Sequence, residues 1–181
     1  MIERKAEMRF NAVFADLVDE GALSDVSRGD VPDGFLRTVD EGWMSDERGA
    51  WLLRDFLATY HGSPKAFNDL TGYEAAVNGR GVPDLDLAVG GKARAVALAR
   101  RGVAFARAAL YRLNADFPDH PPAVAYVSIG DVDMDDEILY VGDVTFVTDH
   151  DGEPPYLGNL EGVTANAVLA IDSTECLEPV R

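Results

Sequence analysis

The hydrophobic residues of this sequence change their spacing close to residue 120. Before that point they recur every three or four positions, which places them on one face of an α-helix, and from Ala123 onward they alternate with polar residues, as in a half-buried β-strand. Helices first and strands last is the order of an α+β protein. We therefore predict one α+β domain over residues 1–181, mainly helical in residues 1–116 and built from antiparallel strands in residues 123–180.

The helical part contains four amphipathic segments, predicted at residues 3–20, 46–60, 64–78 and 91–114. The second is expected to begin after the capping residue Ser45. The last is long and rich in Ala and Arg, and its apolar residues share one face. That face consists of Ala95, Leu98, Ala99, Gly102, Phe105, Ala106, Ala109, Leu110 and Leu113.

Three strands are predicted at residues 123–129, 138–148 and 163–172. The segments between them, residues 131–137 and 149–162, are rich in Asp, Gly and Pro, which is typical of turns. Short connections of this kind favour an antiparallel β-meander, in which each strand pairs with the next one along the chain.

Charged residues are segregated along the chain, whose formal net charge is −16. Residues 113–180 contain fifteen acidic residues and no Lys or Arg, whereas residues 87–115 contain six basic residues and no acidic one. Asp outnumbers Glu by 21 to 11 and Arg outnumbers Lys by 13 to 3, a bias typical of proteins that work in molar salt. A genome rich in G and C favours a similar composition but does not by itself produce this net charge. We therefore expect a halophilic source.

Five arginines occupy the face of the long predicted helix that lies opposite its apolar face, namely Arg94, Arg100, Arg101, Arg107 and Arg112. A chain with this net charge repels a nucleic acid at a distance, so we expect no direct nucleic-acid partner. The planar guanidinium group also suits carboxylates. We expect these arginines to meet an acidic surface, either on the sheet of the same subunit or on a neighbouring subunit. A solvated helix face is the alternative.

The other half of the candidate interaction surface is the acidic segment that contains Asp131, Asp133, Asp135, Asp136 and Glu137. Carboxylates at its first, third and fifth positions follow the spacing of a calcium-binding EF-hand loop. The match ends there, because the sixth position lacks the required glycine and the twelfth lacks the bidentate glutamate. The segment is therefore predicted to be a solvated acidic turn that holds no metal.

No spacing of nucleophile, base and acid indicates a catalytic site, and no cofactor is predicted. The three histidines, His61, His120 and His150, are isolated from one another, and the single cysteine excludes an internal disulfide and a cysteine-based zinc cluster. An enzyme whose site is assembled from loops is still an alternative. Its candidate residues are Asp131, Asp133, His150 and Asp151.

The sequence thus favours a non-enzymatic structural or assembly protein that forms homo-oligomers. In size, and in pairing helices with an antiparallel sheet, it resembles the small connector and tail-terminator proteins of tailed viruses, which implies a virion component of a halophilic virus. An acidic inhibitor, immunity protein or nucleic-acid mimic that binds a basic partner is the alternative from another class. The N-terminus lacks the pattern of a signal peptide and no apolar run is long enough to cross a bilayer, so we expect a protein of the cytoplasm or the virion without a membrane partner.

The protein is predicted to become more stable as salt is added. Mutual repulsion among the acidic residues after residue 113 destabilises the compact state until salt screens it over about 3 Å at 1 M. Thermal melts followed by circular dichroism should therefore show a melting temperature that rises steadily from dilute buffer to molar KCl. A flat or falling melting temperature would contradict the halophilic interpretation.

Overall fold

A computed structural model describes residues 8–134 and 137–181 of the chain. Its α-helices are α1 (Ala12–Leu17), α2 (Asp33–Glu41), α3 (Arg54–Ala58), α4 (Leu70–Asn78) and α5 (Gly91–Asp116). Its strands are β1 (Arg9–Phe10), β2 (Trp43–Ser45), β3 (Trp51–Leu53), β4 (Arg80–Gly81), β5 (Ala123–Met134), β6 (Glu137–Thr148) and β7 (Ala167–Asp172). Short 3-10 turns occur at Glu20–Leu23, Arg28–Asp30, Pro64–Ala66, Leu160–Gly162 and Ser173–Glu175.

The main sheet has five antiparallel strands in the order β1-β7-β5-β6-β4. The predicted α+β class, with a long helix and C-terminal antiparallel strands, is confirmed. The connectivity differs from a meander, because β7 pairs with β5 and not with β6. The connection between β6 and β7 is long enough to carry the chain back across the sheet, and the short β1 then covers the outer edge of β7.

The core lies between α5 and one face of the sheet. All nine residues of the predicted apolar face of α5 are buried, and the ring of Phe105 stacks on Phe35 with centroids 4.0 Å apart. Gly102 allows the helix to approach the sheet closely, since a Cβ atom there would lie only 2.6 Å from Cγ1 of Val127. One face of the C-terminal sheet is therefore buried by packing against α5.

The N-terminal helix was predicted too long. Arg9 and Phe10 form β1 beside β7, and residues 3–7 of the prediction lie outside the described residues. Asn11 explains the boundary, because its side chain accepts the N–H of Phe14 and so caps α1. The same side chain accepts the N–H of Val168, which fastens the start of α1 to β7.

The predicted helix at residues 46–60 is wrong over residues 46–53, which form the turn of the hairpin β2–β3 and the strand β3, and the expected cap Ser45 is the last residue of β2. The carboxylate of Asp46 accepts the N–H groups of Arg48 and Ala50, and Gly49 supplies a backbone φ of 91° in the turn. A side chain that binds its own backbone in this way competes with helix formation. The segment predicted as helix 64–78 likewise begins with a 3-10 turn, and α4 starts only at Leu70.

Replacing Gly102 by Val is expected to lower the free energy of unfolding by about 2 kcal/mol, because the added atoms overlap Val127 in a packed interior. Urea unfolding at constant molar salt measures the change. Ala115→Val, at an exposed position of the same helix, is the control and should change stability by less than about 1 kcal/mol. Equal effects of the two substitutions would contradict the close approach at Gly102.

Candidate functional site

The hairpin β5–β6 extends beyond the rest of the sheet. β7 accompanies β5 only as far as Ile129, and β4 meets β6 only at Asp143 and Val144. We call the projecting part, residues 130–134 and 137–141, the hairpin arm. In the part of the chain that the structure describes, neither outer edge of this arm has a neighbouring strand.

The predicted acidic turn is therefore mostly strand. Asp131 and Asp133 lie within β5, opposite Tyr140 and Ile138 of β6, because the ladder continues to the end of the hairpin. Asp135 and Asp136 lie outside the described residues. Glu137 is the first residue of β6. The strand period of two places Asp131 and Asp133 on the same side of the arm.

Exposed apolar side chains are concentrated on and beside the arm. Seven large apolar side chains are exposed in the described part of the chain, and five of them lie here. On the arm they are Val132, Met134 and Ile138, which are 40%, 55% and 59% exposed. The other two are Leu85 and Val89, in the loop of residues 84–90. We call the arm and this loop together the apolar end.

Arg94 holds the two parts of the apolar end together. Its side chain is buried, and its Nε donates to the carbonyl oxygen of Tyr140 at the base of the arm over 2.8 Å. Its guanidinium group also pairs with the Asp84 carboxylate and donates to the carbonyl of Leu87. Arg94 was predicted to meet an acidic surface. Its side chain instead fixes the loop of residues 84–90 beside the arm through contacts within its own subunit.

Three of the other helix arginines also pair with carboxylates of the same chain. Arg100 binds Asp25 and Asp30, Arg101 binds Asp86, and Arg112 binds Asp116. Arg107 instead donates to the sulfur of Met8. The carboxylates that pair with these arginines lie in the N-terminal half of the chain and in the last turn of α5. We had expected them on the C-terminal sheet or on a neighbouring subunit.

Two of these pairs favour the charged form of their carboxylates, those of Asp86 and Asp25. Hydrogen bonds from Arg101 lower the pKa of Asp86 from 3.8 to about 2. Because this folded-state pKa is depressed, the stabilising effect of the pair is present above pH 3.8 and is lost as the pH falls toward 2. The hydrogen bond from Arg100 lowers the pKa of Asp25 in the same direction.

A buried carboxylate that sequence reasoning missed lies at the other end of the strands. Glu74 of α4 is fully buried and accepts the N–H of Trp51 over 2.7 Å and the N–H of Thr148 over 2.6 Å. Its Oε1 also lies 3.0 Å from Nε2 of His150. Burial raises the pKa of Glu74, and these hydrogen bonds, with the charge that His150 carries when protonated, oppose the rise. A signal existed in the helical spacing of Thr71, Glu74 and Asn78, polar residues that share one face of α4.

The candidate residues of a loop-assembled enzyme are not brought together. His150 and Asp151 line a cleft of about 410 Å³, whereas Asp131 lines a separate groove with Tyr140 and Asp16. Burial raises the pKa of the Cys176 thiol to about 12, so this cysteine is a poor nucleophile.

Within residues 8–134 and 137–181, no three potential ligand residues are grouped to hold a metal ion. No helix in those ranges has the length and hydrophobicity needed to cross a bilayer. Comparison with protein-family models, curated proteins and solved structures found no match. The surface and the clefts of this chain are therefore the basis for inferring its function.

Replacing Arg94 by Gln is expected to lower the free energy of unfolding by about 2 kcal/mol. The value lies below that of a fully buried ion pair, since the Asp84 carboxylate keeps some contact with water. Arg112→Gln removes an exposed pair within α5 and is the matched control, with an expected loss of about 0.5 kcal/mol. Urea unfolding of both variants at the same salt concentration measures the two changes. Equal losses of unfolding free energy would contradict a structural role of Arg94 within the subunit.

Proposed function

We propose that this protein is a non-enzymatic assembly protein that joins copies of itself through the apolar end. The observation that carries the proposal is the concentration of exposed apolar side chains on a two-stranded arm and the loop beside it. On the arm, Val132 and Met134 lie on one face and Ile138 on the other, so both faces expose apolar side chains. Soluble monomers rarely expose this many large apolar side chains close together, and such surfaces often contact another protein.

The backbone of the arm supports the same proposal. A two-stranded ribbon is marginally stable by itself in water, and the unpaired N–H and C=O groups at its edges are a template for another strand. Val132 and Met134 of β5 lie on one face of the ribbon together with Leu139 of β6, which pairs with Val132. A partner strand at the edge would complete the backbone hydrogen bonds and extend this apolar face with its own side chains.

A second copy of the chain is the partner that fits the arm. A strand edge related to itself by a two-fold axis pairs antiparallel, and the same apolar residues then meet each other across the axis. Asp131 and Asp133 of the two copies would also come near each other, which opposes the association in dilute buffer. Molar salt screens this repulsion, so we propose that the assembly forms under halophilic conditions.

The setting that we propose is a structural complex of a halophile or one of its viruses, in the cytoplasm or the virion. The two-fold contact at the arm closes a dimer, so a ring of the connector or tail-terminator kind would need a second contact between such dimers. The acidic inhibitor is the second candidate, and the exposed carboxylates of Asp131 and Asp133 are the observation that favours it. The two candidates differ in the sign of their salt dependence, because binding of an acidic arm to a basic partner weakens as salt is added.

Sedimentation velocity from dilute buffer to molar KCl tests the assembly. We expect the wild-type protein to form a larger species as salt rises and the double variant Val132→Thr/Met134→Thr to stay smaller, because it loses the apolar contact but keeps residues suited to strands. Leu177→Ser removes an exposed apolar side chain elsewhere and should assemble like the wild type. A wild-type monomer at every salt concentration, or assembly unchanged in the double variant, would contradict the proposal.

A further inference from the structure

The cleft beside His150 has the composition of a binding site. It lies between the ends of β5 and β6 and the segment of residues 149–156. Val124 and Val147 supply apolar surface, and the rings of Tyr126 and Tyr156 stand with their centroids 5.7 Å apart. Most ligand sites combine apolar walls with a small number of placed polar groups, and this cleft of about 410 Å³ falls in their usual size range.

One nitrogen of His150, a residue that lines this cleft, has no hydrogen-bond partner among the described residues. The side chain is only 10% exposed, and its Nε2 is occupied by Glu74 and Thr148. Within the described part of the chain no hydrogen bond involves Nδ1, yet every side-chain nitrogen or oxygen atom there that is sealed from solvent has a partner. Nδ1 is therefore accessible to solvent, and the cleft that His150 lines is the space through which a ligand would reach it.

The buried carboxylate behind His150 sets the chemistry of the open nitrogen. Glu74 accepts two backbone N–H groups, and the Thr148 hydroxyl donates to it over 2.8 Å. When Glu74 is ionised it can only accept, so the contact assigns the hydrogen to Nε2 of His150, and in the neutral ring the other nitrogen, Nδ1, carries a lone pair. The tautomer of His150 is thus set by its contact with Glu74, which lies outside the cleft.

The Tyr126 and Tyr156 hydroxyls can donate or accept, and the side-chain carboxylates of the cleft are acceptors. The Asp149 and Asp151 side chains belong to exposed residues at the rim. The Glu153 carboxylate accepts N–H groups at the start of α4 and the hydroxyl of Thr71, which lower the pKa of Glu153 against the effect of burial. No Lys or Arg lines the cleft. A ligand that supplies both positive charge and N–H donors would therefore match it.

We infer that this cleft binds an organic cation in which an ammonium or guanidinium group is attached to a flat apolar group. The N–H donors would bind Nδ1 of His150 and the rim carboxylates, and the flat group would lie against the tyrosine rings and the valines. The inference does not rest on the proposed assembly, because it uses none of the residues of the apolar end.

Benzylamine is the probe, and benzyl alcohol is its uncharged control. Ligand-observed NMR with the full chain should show binding of benzylamine with a dissociation constant on the order of 1 mM, and binding of benzyl alcohol that is roughly tenfold weaker. The variant Asp149→Asn/Asp151→Asn keeps the fold because both residues are exposed, and it should weaken benzylamine binding roughly tenfold. The control Glu47→Gln/Glu178→Gln removes the same charge from exposed positions outside the cleft and should bind like the wild type.

The variant His150→Gln tests the contribution of the histidine to binding separately from that of the carboxylate charges. It should weaken benzylamine binding while circular dichroism shows an unchanged fold, since Gln retains an N–H donor for Glu74. A dipeptide of Phe and Arg with blocked ends tests the source of the cation. Tighter binding than benzylamine assigns it to a polypeptide side chain, and weaker binding assigns it to a free amine. Equal binding of benzylamine and benzyl alcohol, no binding of benzylamine, or binding unaffected in the Asn double variant would overturn the inference.

Discussion

The close contact between α5 and β5 at Gly102 is the constraint on which the rest of the structure depends. The helix of 26 residues approaches the sheet this closely because Gly102 leaves room for the side chain of Val127. The direction of this helix then decides what stands at each end of the strands. Its first turns place Arg94 at the base of the hairpin arm, and Asn114, close to its end, donates to the carbonyl groups of Ser173 and Cys176 after β7.

The same helix explains why charge is segregated along the chain. Its arginines are used to fasten acidic loops of the N-terminal half, through Asp25, Asp30, Asp84 and Asp86, so those carboxylates are compensated inside the subunit. The strands that follow have few bases available for pairing, and Arg9 with Asp172 is one of the few ion pairs that reach them. Their carboxylates therefore depend on solvent ions, which connects the fold to the salt dependence that we expect.

Periodicity predicted the elements whose burial is regular along the sequence. The long helix, its apolar face and the positions of the C-terminal strands follow from spacings of three and four or of two residues. Local side-chain contacts changed the rest. Asp46 forms a turn in which a helix was expected, and the ladder of β5 extends through Asp131 and Asp133, whose polarity had indicated a loop.

The candidate sites were harder to predict, because their partners are far apart in the sequence. Glu74 and His150 are separated by 76 positions, and no single segment carries a pattern that would join them. Arg94 was recognised from the arginine face of its helix, but its role depends on Asp84 and Tyr140, which only the folded chain brings to it. The helical spacing of Thr71, Glu74 and Asn78 was the one usable signal, since it marks a polar face that this short helix buries.

The two candidate sites lie at opposite ends of the same hairpin. The arm is one end of the hairpin, and His150 comes two residues after Thr148, the last residue of β6. The seven strand residues 142–148, about 23 Å, therefore separate the two sites. A partner seated on the arm would therefore leave the cleft open. Coupling between them would require an element with two alternative arrangements, and a hairpin whose central part is paired on both sides offers no such alternative. Assembly through the arm and cation binding in the cleft should accordingly behave as independent properties of the chain.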